Sequence, residues 1–118
     1  MRILGIDPGT RIVGYGVIEA EGSRISTVDF GTVRCKKGDV PTRLKAIHGG
    51  LREVISRWEP EAVAIEKAFY GKNPKTAIKM GEGRGVALLA AAQAELPIAQ
   101  YTPAVIKRAV VGNGSANK

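Results

Sequence analysis

The sequence is short of the residues that carry most redox and nucleophilic chemistry, with one cysteine, Cys35, and one histidine, His48. A lone cysteine closes no internal disulfide, so packing has to hold the fold, and a reducing cytoplasm suits it. Cys35 falls at the end of an expected strand and His48 inside a helical pattern of its own. The two are therefore not read as a nucleophile and its base. Apolar runs are also short, none near the roughly 20 residues of a membrane span. MRILGIDPG has neither the long apolar core nor the small-residue cleavage site of a signal peptide. The expectation is a soluble cytoplasmic protein with no membrane role.

Acidic residues are scarce in one half. Residues 1–66 carry 10 basic and 9 acidic side chains, but residues 67–118 carry 8 basic and only 2 acidic, so nearly all of the net charge of +7 lies in the second half. A field of that sign favours a polyanion, since each Lys or Arg that neutralises a phosphate releases condensed counterions. What is present is ordinary globular composition, 44% hydrophobic and 25% charged over 118 residues. That length fits a single domain, residues 1–118, with one core.

RILGID (2–7) is a short apolar run suited to a strand covered on both faces, followed by turn chemistry in PGTR. VGYGVIEA (13–20), the turn EGS and RISTVDFGTVRC (24–35) read as a meander, because such short connections permit only antiparallel pairing. Leu44, Ile47, Leu51, Val54, Ile55 and Trp58 then recur at three- and four-residue steps, an amphipathic helix that Pro60 stops. EAVAIE (61–66) is another strand. A second helix spans about 74–95, opened by Asn73 as cap and Pro74 at its first position. Its glycines at 81, 83 and 85 each cost roughly 1 kcal/mol against alanine. Gly81 and Gly85 share a face, which predicts close approach of another backbone, either the sheet or a second subunit. LPIAQY (96–101) gives a fifth strand, and Thr102-Pro103 opens a third helix.

Two of these strands end in a carboxylate, Asp7 and Glu66. In α/β sheets, ligands gather beyond strand ends. If the two strands are neighbours, the acids converge, and like charges held that close call for a hard cation, of which Mg²⁺ is the natural choice. Taken singly, Asp7 is no more than the cap of a Pro-Gly turn and Glu66 a solvated strand end. The pair together, in a basic chain, points to a metal.

ILGIDPGTRIVGYGVI, AVAIEKAFYGKNPKTAIKMGEGRGVALLAA and YTPAVIKRAVVGNGSANK closely resemble the RuvC family of Holliday-junction resolvases over the whole sequence. A lone D-x-G-T is weak, since sugar kinases, actin and Hsp70 chaperones share it; Asp7, Glu66 and Phe69 at these intervals are not theirs. The resemblance implies an α/β, RNase H-like fold: a five-stranded mixed sheet, the first three strands antiparallel, with helices on both faces. It implies a homodimer that cuts two opposed strands of four-way junction DNA symmetrically, in recombination and DNA repair, alongside the RuvA–RuvB branch-migration complex. A two-fold dimer presents two equal sites to a nearly two-fold substrate. By the same resemblance Asp7 bridges two Mg²⁺ ions and Glu66 ligates one. Phe69 stacks on a base near the junction centre, with neighbouring Tyr70 as the alternative ring. Lys107 and Lys118 contact phosphate. Lys67, Lys72, Lys75 and Lys79 form an acid-free run that offers further phosphate contacts, with Lys72 included in the expected DNA-binding set.

The family continues beyond this endpoint into a helix with two more acidic ligands, or a histidine and an aspartate, and after Glu66 this sequence has only Glu82 and Glu95. The expectation is a chain truncated at its C-terminus, without that helix, and inactive alone. Two other readings stand beside the nuclease: a non-catalytic junction-binding module, and an ATP-binding fragment of a sugar-kinase or actin-like fold.

Overall fold

The computed structural model describes residues 1–8, 12–34, 38–66 and 73–101. Strand β1 (Arg2–Pro8) is followed by β2 (Ile12–Glu21), β3 (Arg24–Arg34), helix α1 (Val40–Trp58), β4 (Ala62–Glu66), helix α2 (Pro74–Gln93) and β5 (Ile98–Tyr101). The strands form one sheet in the order β3-β2-β1-β4-β5. β1, β2 and β3 pair antiparallel, and β4 and β5 add in parallel beside β1. The meander, both helices and the five strands read from the sequence are present, with boundaries shifted by one or two residues. Cys35 and the third helix expected from Thr102 lie outside the described residues.

Side chains alternate across a strand, so the sheet has two distinct faces. Leu4, Ile6, Val13, Val17, Val63 and Ile65 share one face and pack into a single cluster with Ile47 and Leu51 of α1 and Ala87, Ala90 and Ala91 of α2. Both described helices therefore cover the same face. Ile18 and Ala64 are buried too, but stand outside this cluster, as alternation requires of residues on the opposite face. Burial of each large aliphatic side chain contributes about 1.5–3 kcal/mol, and seven of them are essentially free of solvent.

Helix ends follow their local chemistry. Asp39 caps α1, its carboxylate accepting from the Thr42 amide at 3.0 Å, and Glu59 turns left-handed (φ 47°) at the far end, just before Pro60. Asn73 caps α2 by accepting from the Lys75 amide at 2.9 Å, and Pro74 follows as the sequence predicts. The end of α1 is tied to the sheet by polar contacts. Trp58 donates its indole N–H to Asp29 at 3.0 Å, the Tyr15 hydroxyl reaches the same carboxylate oxygen at 3.4 Å, and Arg2 donates to the Trp58 carbonyl at 2.9 Å. Burial, and behind it the Asp29 carboxylate, raises the Tyr15 phenol above its ordinary pKa. The two helices are joined at Gln93, whose side-chain oxygen meets Nε2 of His48 at 2.7 Å and Arg52 at 3.0 Å.

α1 lies so close to β3 that a Cβ on Gly50 would stand 2.5 Å from Cγ1 of Val33, while one on the neighbouring Gly49 would meet nothing within 4 Å. Gly50→Ala is expected to destabilise the fold by about 1–3 kcal/mol, the range for overpacking. Gly49→Ala should stabilise it by up to about 1 kcal/mol, because only helix propensity changes. Thermal melts of the two variants check this, and Val33→Ala should partly rescue Gly50→Ala alone.

The Asp39 cap also makes an acid-dependent prediction. Its carboxyl is held below the ordinary value of 3.8, first by the hydrogen bonds from Thr42. A lowered folded-state pKa stabilises the fold at pH values above the unfolded one, and that stabilisation is lost as pH falls through the folded value. The melting-temperature gap between wild type and Asp39→Ala should therefore be constant near neutrality and close as pH drops below 3.8.

Candidate active site

Asp7 is the penultimate residue of β1 and Glu66 the last residue of β4. The parallel register pairs Ile3 with Ala62, Leu4 with Val63, Gly5 with Ala64 and Ile6 with Ile65. One further step along that register sets Asp7 beside Glu66. Residues paired this way point to the same sheet face from strands about 4.8 Å apart. That face is opposite the one carrying Ile6 and Ile65, so both carboxylates stand away from the helices. Each is half-buried. The local sequence explains the placement, because each strand is an apolar run whose last outward position before the chain leaves the sheet is an acid.

The opposite neighbour of Asp7 is Gly14 of β2. A Cβ there would lie 3.9 Å from the Asp7 Cβ, so its absence leaves room beside the carboxylate. Glycine inside a strand often marks such a close approach. The sequence reading passed over this residue. Its signal was the glycine interrupting VGYGVI, but only the strand register shows that the gap faces Asp7.

The donor set consists of hard carboxylate oxygens, which fits Mg²⁺ or a similar cation better than a soft metal. Among the described residues no group of three or more His, Cys, Asp or Glu gathers into a metal site. Asp7 and Glu66 are a pair of candidate donors and no more than a pair among the described residues. α2 begins a few residues after Glu66, with no acid in its first turn and with Lys75 and Lys79 exposed. Its N-terminal amides and those lysines make this end of the helix favourable for anions. Phe69, Tyr70, Lys67, Lys72, Lys107 and Lys118 lie outside the described residues.

A mixed sheet in this strand order, with acids on neighbouring termini of its central parallel pair, belongs to the RNase H-like class. Comparison with known proteins narrows the class. The family description "Crossover junction endodeoxyribonuclease RuvC" matches residues 3–118. A crossover junction endodeoxyribonuclease RuvC from Photobacterium profundum is 48% identical over 116 residues, covering 98% of this chain and 67% of its own length. The protein of the same name from Pelobacter propionicus is 50% identical over 119 residues, covering 100% of this chain and 68% of its own. Among solved structures, T. thermophilus RuvC in complex with a Holliday junction substrate aligns with a TM-score of 0.81 at 30% identity, covering 95% of this chain and 80% of that one. The chain belongs to the RuvC family of crossover junction endodeoxyribonucleases, a family of hydrolytic nucleases. It spans about two thirds of the length of those two relatives. The family match decides against an ATP-binding fragment of the sugar-kinase kind.

Proposed function

We propose that this chain forms the single catalytic domain, residues 1–118, of a Mg²⁺-dependent resolvase that cuts four-way DNA junctions symmetrically as a homodimer. The observation that carries the reading is the β1–β4 register, which sets Ile6 beside Ile65 and, carried one residue further, sets Asp7 beside Glu66. Asp7 and Glu66 would hold the metal, Asp7 from the sheet centre and Glu66 from the adjoining strand end. Bound there, Mg²⁺ supplies a water of lowered pKa and neutralises charge on the phosphate. Two carboxylates offset only half the charge of two Mg²⁺ ions, so a two-ion site needs acids beyond this pair.

The protein's own groups have to orient the scissile strand. Lys75 and Lys79 on the first turns of α2, with Lys72, Lys107 and Lys118, would hold phosphates and fix the strand's register over the acids. Phe69, with Tyr70 as its neighbour, would stack on an unpaired base at the junction centre, a contact worth roughly 1–3 kcal/mol per base. The open space over Gly14 lets the sugar-phosphate backbone approach Asp7 without a side chain between them. Junction DNA is nearly two-fold symmetric, so two copies of one site can cut opposed strands. A cytoplasmic setting, with RuvA–RuvB as the branch-migration partner, completes the proposal.

The test compares wild type with Asp7→Asn and Glu66→Gln on a synthetic junction and on linear duplex. Cleavage in Mg²⁺ should fall on the order of 10³-fold in each variant, the scale on which loss of one charge-stabilising group acts. Junction affinity in Ca²⁺ should hold or tighten, since removing an acid removes repulsion of phosphate. Variants that bind and still cut as the wild type does would overturn the assignment; a wild type that binds without cutting agrees either with the inactivity expected of the 118 residues alone or with a junction-binding module, and Mn²⁺ binding that both substitutions weaken separates the first from the second.

A further inference from the structure

The row of the sheet that holds the acids runs on to β3. Asp7 is paired with Gly14, and Gly14 with Thr32. Residues paired across a sheet share a face, so Thr32 stands on the face of the carboxylates, two strands or about 9.6 Å from Asp7. Two residues further, Arg34 falls on that face again, at the end of β3 beside Ile12. Val33 between them supports the alternation, because its side chain is the one that presses on Gly50 of α1. The residue that separates Asp7 from Thr32 is a glycine. No side chain therefore divides the acids from β3.

Thr32 and Arg34 are both exposed. Arg2, near the opposite end of the sheet, is held by Glu19 and by the Trp58 carbonyl, whereas Arg34 forms no ion pair with another described residue. The outward positions at this end of β2 and β3 are Ile12, Gly14, Thr32 and Arg34, with no acid among them. In sequence the positive charge continues as Lys36 and Lys37. We propose that the DNA strand cut at Asp7 and Glu66 continues over Gly14 to β3, where Arg34 and Thr32 hold one of its flanking phosphates.

The chemistry suits that ligand. A guanidinium offers paired donors that match two phosphate oxygens, and a threonine hydroxyl adds a third. Arg34 starts about 12 Å from Asp7, counting two strand spacings across and two residues along. At roughly 3.4 Å of helix rise per nucleotide, its phosphate lies within about four nucleotides of the scissile one. Contact at β3 fixes which way the strand crosses the sheet, since the acids alone repel phosphate and set no direction. This proposal rests on the nuclease reading above and adds a second anchor for the same strand.

The test measures junction affinity of the full chain in Ca²⁺ over a series of salt concentrations. Arg34→Ala should bind about tenfold more weakly at low salt and lose about one from the slope of log affinity against log salt, as one phosphate contact is given up. Arg34→Lys should keep the slope, and Thr32→Val should cost about threefold with the slope unchanged. Arg24→Ala removes an equal charge at the far end of the same strand, so it should change the slope by less than half as much. Circular dichroism should be unchanged in all four variants. Neutral methylphosphonates placed one at a time around the branch point should then reveal a phosphate whose neutralisation weakens wild type but not Arg34→Ala. An Arg34→Ala protein indistinguishable from Arg24→Ala, or the absence of such a phosphate, overturns the β3 contact and leaves the nuclease reading standing. A wild type that does not bind the junction overturns both.

Discussion

The parallel register between β1 and β4, with Ile6 beside Ile65, is the constraint on which the candidate site depends. Parallel neighbours cannot be joined by a tight turn, so the chain has to leave the sheet after β3, run through α1 and return. That crossover brings Glu66 to Asp7 across 59 positions of sequence. The buried residues of the two strands, Leu4, Ile6, Val63 and Ile65, are locked under the helices. A slip of one residue in either strand would turn its two toward the other face and separate the acids. Site geometry and core packing are thus one constraint, and the aliphatic side chains that stabilise the fold also hold two carboxylates at adjacent positions.

Two acids on neighbouring strands repel each other, and the described residues gather no third acid or histidine around them that would complete a metal site. The start of α2, with Lys75 and Lys79 exposed, favours anions, and the oxygen donors at the strand ends favour a hard cation. The same helix shows why its composition is unusual. Small residues on its inner side let it lie close to the sheet, and on its outer side Ile78 and Leu89 are exposed.

Much of this was legible in the sequence where a residue's effect is local. Asn73-Pro74 announced a helix start, the six apolar positions of α1 gave its period, and the short links between the first three strands allowed only antiparallel pairing. The acids at two strand ends were visible as candidates for the same reason. Their adjacency was not, because the pairing of β1 with β4 is long-range and no local pattern encodes it. Gly14 was passed over for a related cause: its role lies in what it faces across the sheet. Gly50 is similar, since nothing around it in sequence reveals that Val33 presses on that point of the helix. The glycines of α2 were anomalous from the start, and the structure separates them, with Gly83 turned inward and Gly85 turned out.

The central claim is that Asp7 and Glu66 bind one divalent ion jointly. Electron paramagnetic resonance of Mn²⁺ titrated into wild type, Asp7→Asn and Glu66→Gln measures this without any DNA. The account predicts a saturable site in the wild type that weakens by more than about tenfold in each variant, since each removes one of the donors. Mn²⁺ binding left unchanged by either substitution would contradict it.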